Sequence, residues 1–304
     1  MSTKRTDPEA RSWRSELTPH EETHRLGNLG QVLDCGHSLD CVFVMSLEDV
    51  DTTILGEQVG FATIELHDQL GSTMERARVL AAIEEIELPA LILTDYQTGG
   101  FGRRGSGWWQ ERGSLAVSIV LDKKYVGLDV QPMWSLICGL ALADALGALE
   151  PSITTHVKWP NDIEVDGAKI AGLLLEIVAF DRAILGIGVN TNGSRTRAPS
   201  SLCHRIMTLP DLTGRRMSRT KLLEKFMSRF LDFARMVQTN PAQFVHQYQL
   251  RCGQVGRTVK VYKKDDVIEG FCAGIARDGS LIVDTVRGRQ QILSGSLRPP
   301  DEKD

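Results

Sequence analysis

The stretch that decides the fold is "HVKWPNDIEVDGAKIAGLLLEIVAFDRAILGIGVNTN", residues 156–192. Within it "DIEV" and "KIAGLLLEIV" read as strands. The link between them, Asp166-Gly167-Ala168, contains Asp-Gly, a preferred hairpin-turn pair because both positions tolerate positive φ. "AILGIGVN" reads as a further strand ending at Asn190. Its glycines, Gly186 and Gly188, permit close approach by another group, although a plain bulge at Gly188 explains that residue equally well. "KWPND" sets Lys158, Asn161 and Asp162 around a proline-stiffened turn at a strand start. That combination can hold a cation near phosphates through oxygen ligands, and Asn190 could add another oxygen. Taken alone, the same five residues are only a turn.

Upstream, "FATIEL" (61–66) alternates like a strand and "GSTMERARVLAAIEE" (71–85) reads as a helix, with Ser72 and Glu75 spaced as a capping box. "ALILT" (90–94) and "SLAVSIVL" (114–121) are strands leading into and out of "TDYQTGGFGRRGSGWWQERGS" (94–114). The cluster Gly99, Gly100, Gly102, Gly105 and Gly107 within it implies a loop that moves or backbone that closely approaches a ligand. Arg103 and Arg104 make that ligand an anion. The loop matches neither a Walker A motif nor a dinucleotide fingerprint. Trp109 reads as ordinary packing.

The apolar stretch from Met133 to Leu149 is too short for an unbroken membrane span and carries Asp144, so a buried helix is expected, with Pro132 near its first turn. Residues 191–217 are loop-like, and an amphipathic helix begins at Ser218, its cap. From Gly253 to about Leu297, short strands separated by Lys-Asp, Asp-Gly and Arg-Gly turns suggest a small β-barrel.

At 304 residues the chain suits one large domain plus a small one. A net charge of −4 gives no overall electrostatic footprint for nucleic acid. Residues 1–58 hold five basic against eleven acidic residues, which argues against a DNA-binding helix-turn-helix there. The first 25 or so residues are expected to be disordered. The six cysteines lack CxxC or metal-ligand spacing and read as reduced thiols. With no apolar h-region in residues 1–25, the expectation is a cytoplasmic protein that does not enter membranes.

In this order the segments "GSTM" (71–74), "QTGGFGRRGSGW" (97–108), "KWPND" (158–162), "KIAGLLLE" (169–176) and "GIGVN" (186–190) resemble the biotin–protein ligases. These enzymes attach biotin to carrier domains of carboxylases. The resemblance covers roughly residues 60–298, and KWPND followed seven residues later by KIAG is its specific signal.

It implies an α/β fold, a mixed β-sheet flanked by helices, with a C-terminal SH3-like β-barrel. The implied division is a poorly defined extension (1–58), a catalytic domain (59–250) and the barrel (251–304). It also implies ATP and biotin as substrates, Mg²⁺, and a biotin carboxyl carrier protein as partner; a homodimer stays open. Ser72, Thr73 and Gln97 would contact the biotin rings. Gly100, Phe101, Gly102 and Arg103 would form the closing loop, with Lys169 at the biotin carboxylate. Lys158, Asn161, Asp162 and Asn190 would surround the ATP phosphates, Asp162 and Asn190 holding the metal, and Trp108 would pack near the adenine. Arg103 and Lys169 carry the catalytic charge.

Two positions depart from the family pattern. Met74 stands in place of Asn, and Phe101 in place of a basic residue, and a phenyl ring does not substitute for an arginine fork beside a phosphate. Two alternatives therefore stay open: a weakly ligating biotin binder, and a non-catalytic biotin-sensing interaction protein.

Overall fold

The computed structural model describes residues 47–122, 131–178, 181–263 and 266–298, together with the strand Gln31–Asp34. The first 25 residues, where disorder is expected, lie outside the described residues.

One mixed sheet of eight strands forms the body of the molecule, in the order β1-β2-β3-β4-β8-β7-β6-β5. These are β1 (Gln31–Asp34), β2 (Thr63–Leu70), β3 (Ala90–Gln97), β4 (Leu115–Asp122), β5 (His156–Lys158), β6 (Asp162–Val165), β7 (Ala168–Val178) and β8 (Arg182–Val189). Only β2 and β3 run parallel, because helix α1 (Thr73–Ala81) crosses between them; every other pairing is antiparallel. The turn from β6 to β7 has Asp166 at φ 51° and Gly167 at φ 77°, the two positive values that an Asp-Gly hairpin turn supplies.

Strand alternation divides the apolar residues between two faces. Ile92, Val120 and Ile184 point to the side covered by Met74, Ala77, Leu80 and Ala81 of α1. Their neighbours Leu91, Leu93, Ile119 and Leu185 point to the other side, into a much larger core. There α2 (Gln131–Leu149) lies against α4 (Arg219–Thr239). Helix α2 is buried almost throughout, which is why its sequence is apolar all round. Ser218 caps α4 by accepting from the Lys221 N–H. The short α3 (Leu209–Thr213) and α5 (Pro241–Arg251) arise where the sequence reads as loop or goes unassigned.

The C-terminal segment is a five-stranded antiparallel sheet, order β12-β11-β10-β9-β13. Its strands are β9 (Thr258–Tyr262), β10 (Val267–Ile275), β11 (Leu281–Thr285), β12 (Gly288–Ile292) and β13 (Ser296–Arg298). Trp159 of the KWPND turn joins it to the main body, its indole N–H donating to the Gly279 carbonyl at 3.0 Å.

The segment before residue 59 is drawn into the main fold. Strand β1 pairs with β2, and Leu47 and Leu55 sit in the larger core. Asp49 accepts from the Arg219 backbone at 2.9 Å and from its Nε at 2.8 Å, while Arg219, 2% exposed, also donates to Asp95 at 3.0 Å. A second buried charge, Glu65 on β2, is held by both arms of Arg76 at 2.6 and 2.8 Å and by His67 at 3.1 Å. Burial pushes the Glu65 carboxyl pKa up, but the bonds from Arg76 and His67 outweigh it, leaving about 2.

Candidate active site

A cleft of about 420 Å³ opens on the face of the sheet that carries α1. Its floor is defined by missing side chains. Gly172 of β7 pairs with Gly188 of β8, and Leu174 with Gly186, so three glycines lie on one patch of the same face. Gly188 is in register with both neighbours, Ala116 and Gly172, so it is not a bulge. The irregularity falls instead on β6, between Ile163 and Glu164.

The close approach that these glycines allow is used by the chain itself. A Cβ at Gly188 would lie 2.5 Å from the Trp108 ring, and one at Gly186 would lie 2.6 Å from the Met74 sulfur. Trp108 thus packs directly against the strip, with the Lys169 ammonium 5.5 Å from the ring centroid. Its indole N–H is buried with no hydrogen-bond partner among the described residues.

Above the strip, the glycine-rich loop folds back as a miniature hairpin. Phe101 bridges to Gly107, the Gly102 N–H donates to the Ser106 carbonyl at 2.7 Å, and Arg104 takes φ 57° at the tip. At the loop's base, Trp108 N–H donates to the Gly100 carbonyl at 2.9 Å. A Cβ at Gly100 would lie 2.9 Å from Nε2 of Gln97, so a side chain there would displace the Gln97 amide.

Arg103 leaves this hairpin to donate to the Asn161 side chain at 3.2 Å and to the Gly295 carbonyl, beside the small sheet, at 3.1 Å. Burial and the neighbouring Arg104 both lower its pKa from the ordinary value, with Asp162 opposing them. An arginine placed so is a poorly solvated cation that gains by meeting an anion. Phe101 lines the same cleft. It packs on the small apolar cluster of α1, with the Arg78 guanidinium 5.3 Å from its ring centroid.

The remaining polar groups converge from three elements. Lys169 pairs with Asp162 at 2.7 Å, and Lys158 with Glu164 at 2.7 Å. Asn161 donates to the Leu173 carbonyl at 2.6 Å, tying the KWPND turn to β7. At the α1 end, Gln97 accepts from the Thr73 backbone at 2.9 Å and from its hydroxyl at 3.2 Å.

The cleft therefore gathers Thr73, Gln97, Phe101, Gly102, Arg103, Trp108, Lys158, Asn161, Asp162 and Lys169 of the residues singled out in the sequence. Three others fall outside its lining. Ser72 is a buried helix cap that accepts from the Met74 N–H at 3.2 Å, not from the Glu75 N–H that a capping box would use. Gly100 forms the loop base. Asn190 is 1% exposed, and its side chain donates to the Met207 carbonyl at 2.9 Å. Its N–H donates to the Ile170 carbonyl of β7 at 2.9 Å, and its carbonyl accepts from the Leu209 N–H at 2.8 Å. Sequence reasoning missed Ser296 and Leu297, which no motif marks and which the fold brings into the cleft lining, and Gln110 and Ser118, which lie behind it.

An open sheet bearing a cleft with convergent cations, a polar end and a glycine-lined floor defines a protein that binds a small anionic ligand under a loop. Residues 67–191 match the model of the biotin/lipoate A/B protein ligase family. The biotin--[acetyl-CoA-carboxylase] ligase of Mycobacterium tuberculosis is 32% identical over 257 residues, covering 79% of this chain and 90% of that protein. The bifunctional ligase/repressor BirA of Bacillus subtilis is 26% identical over 254 residues, covering 81% and 75%. Among solved structures, the biotin protein ligase of Aquifex aeolicus in complex with biotin and ATP superimposes with a TM-score of 0.69 at 27% identity, covering 77% of this chain and 98% of that one. The chain belongs to the biotin/lipoate A/B protein ligase family.

Proposed function

We propose that this chain is an ATP-dependent biotin–protein ligase acting on a biotin carboxyl carrier protein. The observation that carries the reading is the meeting of Arg103, from the glycine-rich loop, with Asn161 of the KWPND turn, at a cleft that Lys169 also lines. Joining a carboxylate to a triphosphate needs charge neutralisation where the two anions meet, and the cleft supplies it.

In the first half-reaction, the biotin carboxylate oxygen attacks the α-phosphorus of ATP and the α–β phosphoanhydride bond breaks, giving biotinyl-5'-AMP and pyrophosphate. Lys169 holds the carboxylate. One of its three N–H groups goes to Asp162, leaving two for the ligand. Arg103 and Lys158 face the phosphates, and Trp108 packs against the nucleotide. In the second half-reaction, a carrier lysine amine attacks the acyl carbon, forming the amide and releasing AMP. The loop hairpin excludes water from the mixed anhydride in between.

For Mg²⁺, the donor set fits an ion carried in with ATP. Asp162 offers one carboxylate from the cleft, and such ions take most other ligands from phosphates and water. Among the described residues no group of three or more His, Cys, Asp or Glu could hold a metal on its own. Asn190 lies outside the cleft lining, and its buried Oδ1 has no hydrogen-bond partner among the described residues. When bound, the ion neutralises phosphate charge.

The reading includes a catalytic unit over 59–250 and an SH3-like unit over 251–304. The free thiols of Cys138, Cys203, Cys252 and Cys272 agree with a cytoplasmic setting. Among the described residues no helix is long and apolar enough to cross a membrane. A weakly ligating biotin binder is the competing reading, and Met74, which brings an apolar thioether over Gly186, favours it.

The test is to incubate the protein with ATP, Mg²⁺, biotin and a carrier domain, following pyrophosphate release and carrier biotinylation separately. Biotinylated carrier is expected. Pyrophosphate without carrier product would establish the competing reading, and biotin binding with neither product would refute the enzyme.

A further inference from the structure

Behind the polar end of the cleft, hydrogen bonds run in one direction through five residues. Ser118 Oγ donates to Thr73 Oγ1 at 2.9 Å, and Thr73 Oγ1 to Gln97 Oε1 at 3.2 Å. Gln97 Nε2 donates to Gln110 Oε1 at 3.1 Å, and Gln110 Nε2 to the Asp95 carbonyl at 3.3 Å. The direction is fixed at both ends by groups that cannot reverse. The Thr73 backbone N–H, a donor only, meets Gln97 Oε1 at 2.9 Å, and the Asp95 carbonyl is an acceptor only. Turning over either amide would set donor against donor or acceptor against acceptor, so each glutamine has one orientation.

Gln110 is 5% exposed and does not line the cleft. Its far end is anchored as well. The Asp95 carboxylate accepts from Arg219 at 3.0 Å, from the Gly113 N–H at 3.1 Å and from Arg112 at 3.3 Å.

We propose that Gln110 is a positioning residue for the recognition of biotin: it accepts one Nε2 hydrogen of Gln97, holds the amide carbonyl on Thr73, and leaves the second Nε2 hydrogen for the ligand. This rests on the biotin-ligase reading and deepens it. Hydrogen bonds in such a chain polarise one another, so loss of the Gln110 link weakens the Thr73–Gln97 pair as well.

The experiment measures biotin binding by calorimetry, KM for ATP and thermal melting for the wild type, Gln110→Leu and Gln110→Glu. Gln110→Leu leaves Gln97 Nε2 without its acceptor and is expected to weaken biotin binding about tenfold, with KM for ATP unchanged. Gln110→Glu, when ionised, can still accept from Gln97 but cannot donate to the Asp95 carbonyl, and repulsion from that oxygen and the Asp95 carboxylate draws the side chain away from Gln97. When protonated, it reproduces both bonds. The charged groups facing it are the Asp95 carboxylate and, across that, Arg112 and Arg219. Its biotin affinity is therefore expected to recover as pH falls, which also decides the matter should Gln110→Leu fail to fold. A lowered melting temperature with unchanged biotin affinity in both variants, and no recovery at low pH, would overturn the proposal and leave the ligase reading intact. Failure of the wild type itself to bind biotin overturns both.

Discussion

Replacing Gly188 by alanine puts a single methyl group where Trp108 now lies. The new carbon would stand 2.5 Å from Cζ2, 2.6 Å from Cε2 and 3.0 Å from Nε1 of the indole. Carbon contacts settle near 3.5–4.0 Å, so ring and methyl must separate by about 1 Å. The strand cannot supply that movement, because β8 is hydrogen-bonded on one side to β4 and on the other to β7. The ring therefore moves, and with it the loop hairpin that its backbone anchors at Gly100. Overpacking of this kind costs about 1–3 kcal/mol. For a domain of this size that lowers the melting temperature by about 2–12 °C. A reacting geometry displaced by about 1 Å loses on the order of a hundredfold in rate, read as pyrophosphate release. The steric cause is isolated by a double-mutant cycle: in a Trp108→Ala background the Gly188→Ala change is expected to cost nothing further in stability. An undiminished penalty in that background would refute the reasoning.

Arg219→Leu removes the cation between Asp49 and Asp95, leaving the Asp95 carboxylate buried with the exposed Arg112 at 3.3 Å; a loss of about 3–5 kcal/mol is expected in urea unfolding. The Glu65 carboxyl is depressed from its usual 4.5 to about 2, so it stabilises the fold fully above pH 4.5 and loses that contribution as pH falls towards 2. A Glu65→Gln variant should accordingly show a flatter stability profile through that window, followed by circular dichroism. Phe101→Leu keeps the apolar contact with α1 but removes the ring facing Arg78, and a loss of about 0.5–1 kcal/mol is expected in thermal melting. A larger loss would mean that Phe101 supports more than the loop's edge.

The core sheet was legible because its signals are local. Asp166-Gly167 determines its own turn, and alternation in "SLAVSIVL" and "AILGIGVN" assigns each side chain to a face. The cleft residues on KWPND and the glycine loop were equally readable, since their chemistry sits in short contiguous runs. What was not readable depends on distant partners. Asn190 looks like a ligand from its place after a strand, but the 206–209 segment covers it. Gln110 looks like any residue after two tryptophans until Gln97 and Asp95 are placed on either side of it. Phe101 was expected in the loop that closes over biotin, and its packing on the α1 cluster beside Arg78 depends on a helix far from it in sequence. Residues 47–58 show little periodicity because their attachment rests on separate contacts, Leu47 and Leu55 in the core and Asp49 on Arg219, not on an amphipathic face.

That attachment has a consequence for the order in which the chain matures on the ribosome. Asp49 waits for Arg219, its partner 170 positions later. At about 5–20 residues per second the partner follows roughly 10–30 s behind. Until then, residues 47–55 have an unmatched Asp49 carboxylate and an incomplete core, so this segment closes only after α4 has been made. Nascent chains halted before residue 219 should be cut by protease within residues 47–60, and chains halted well beyond α4 should resist.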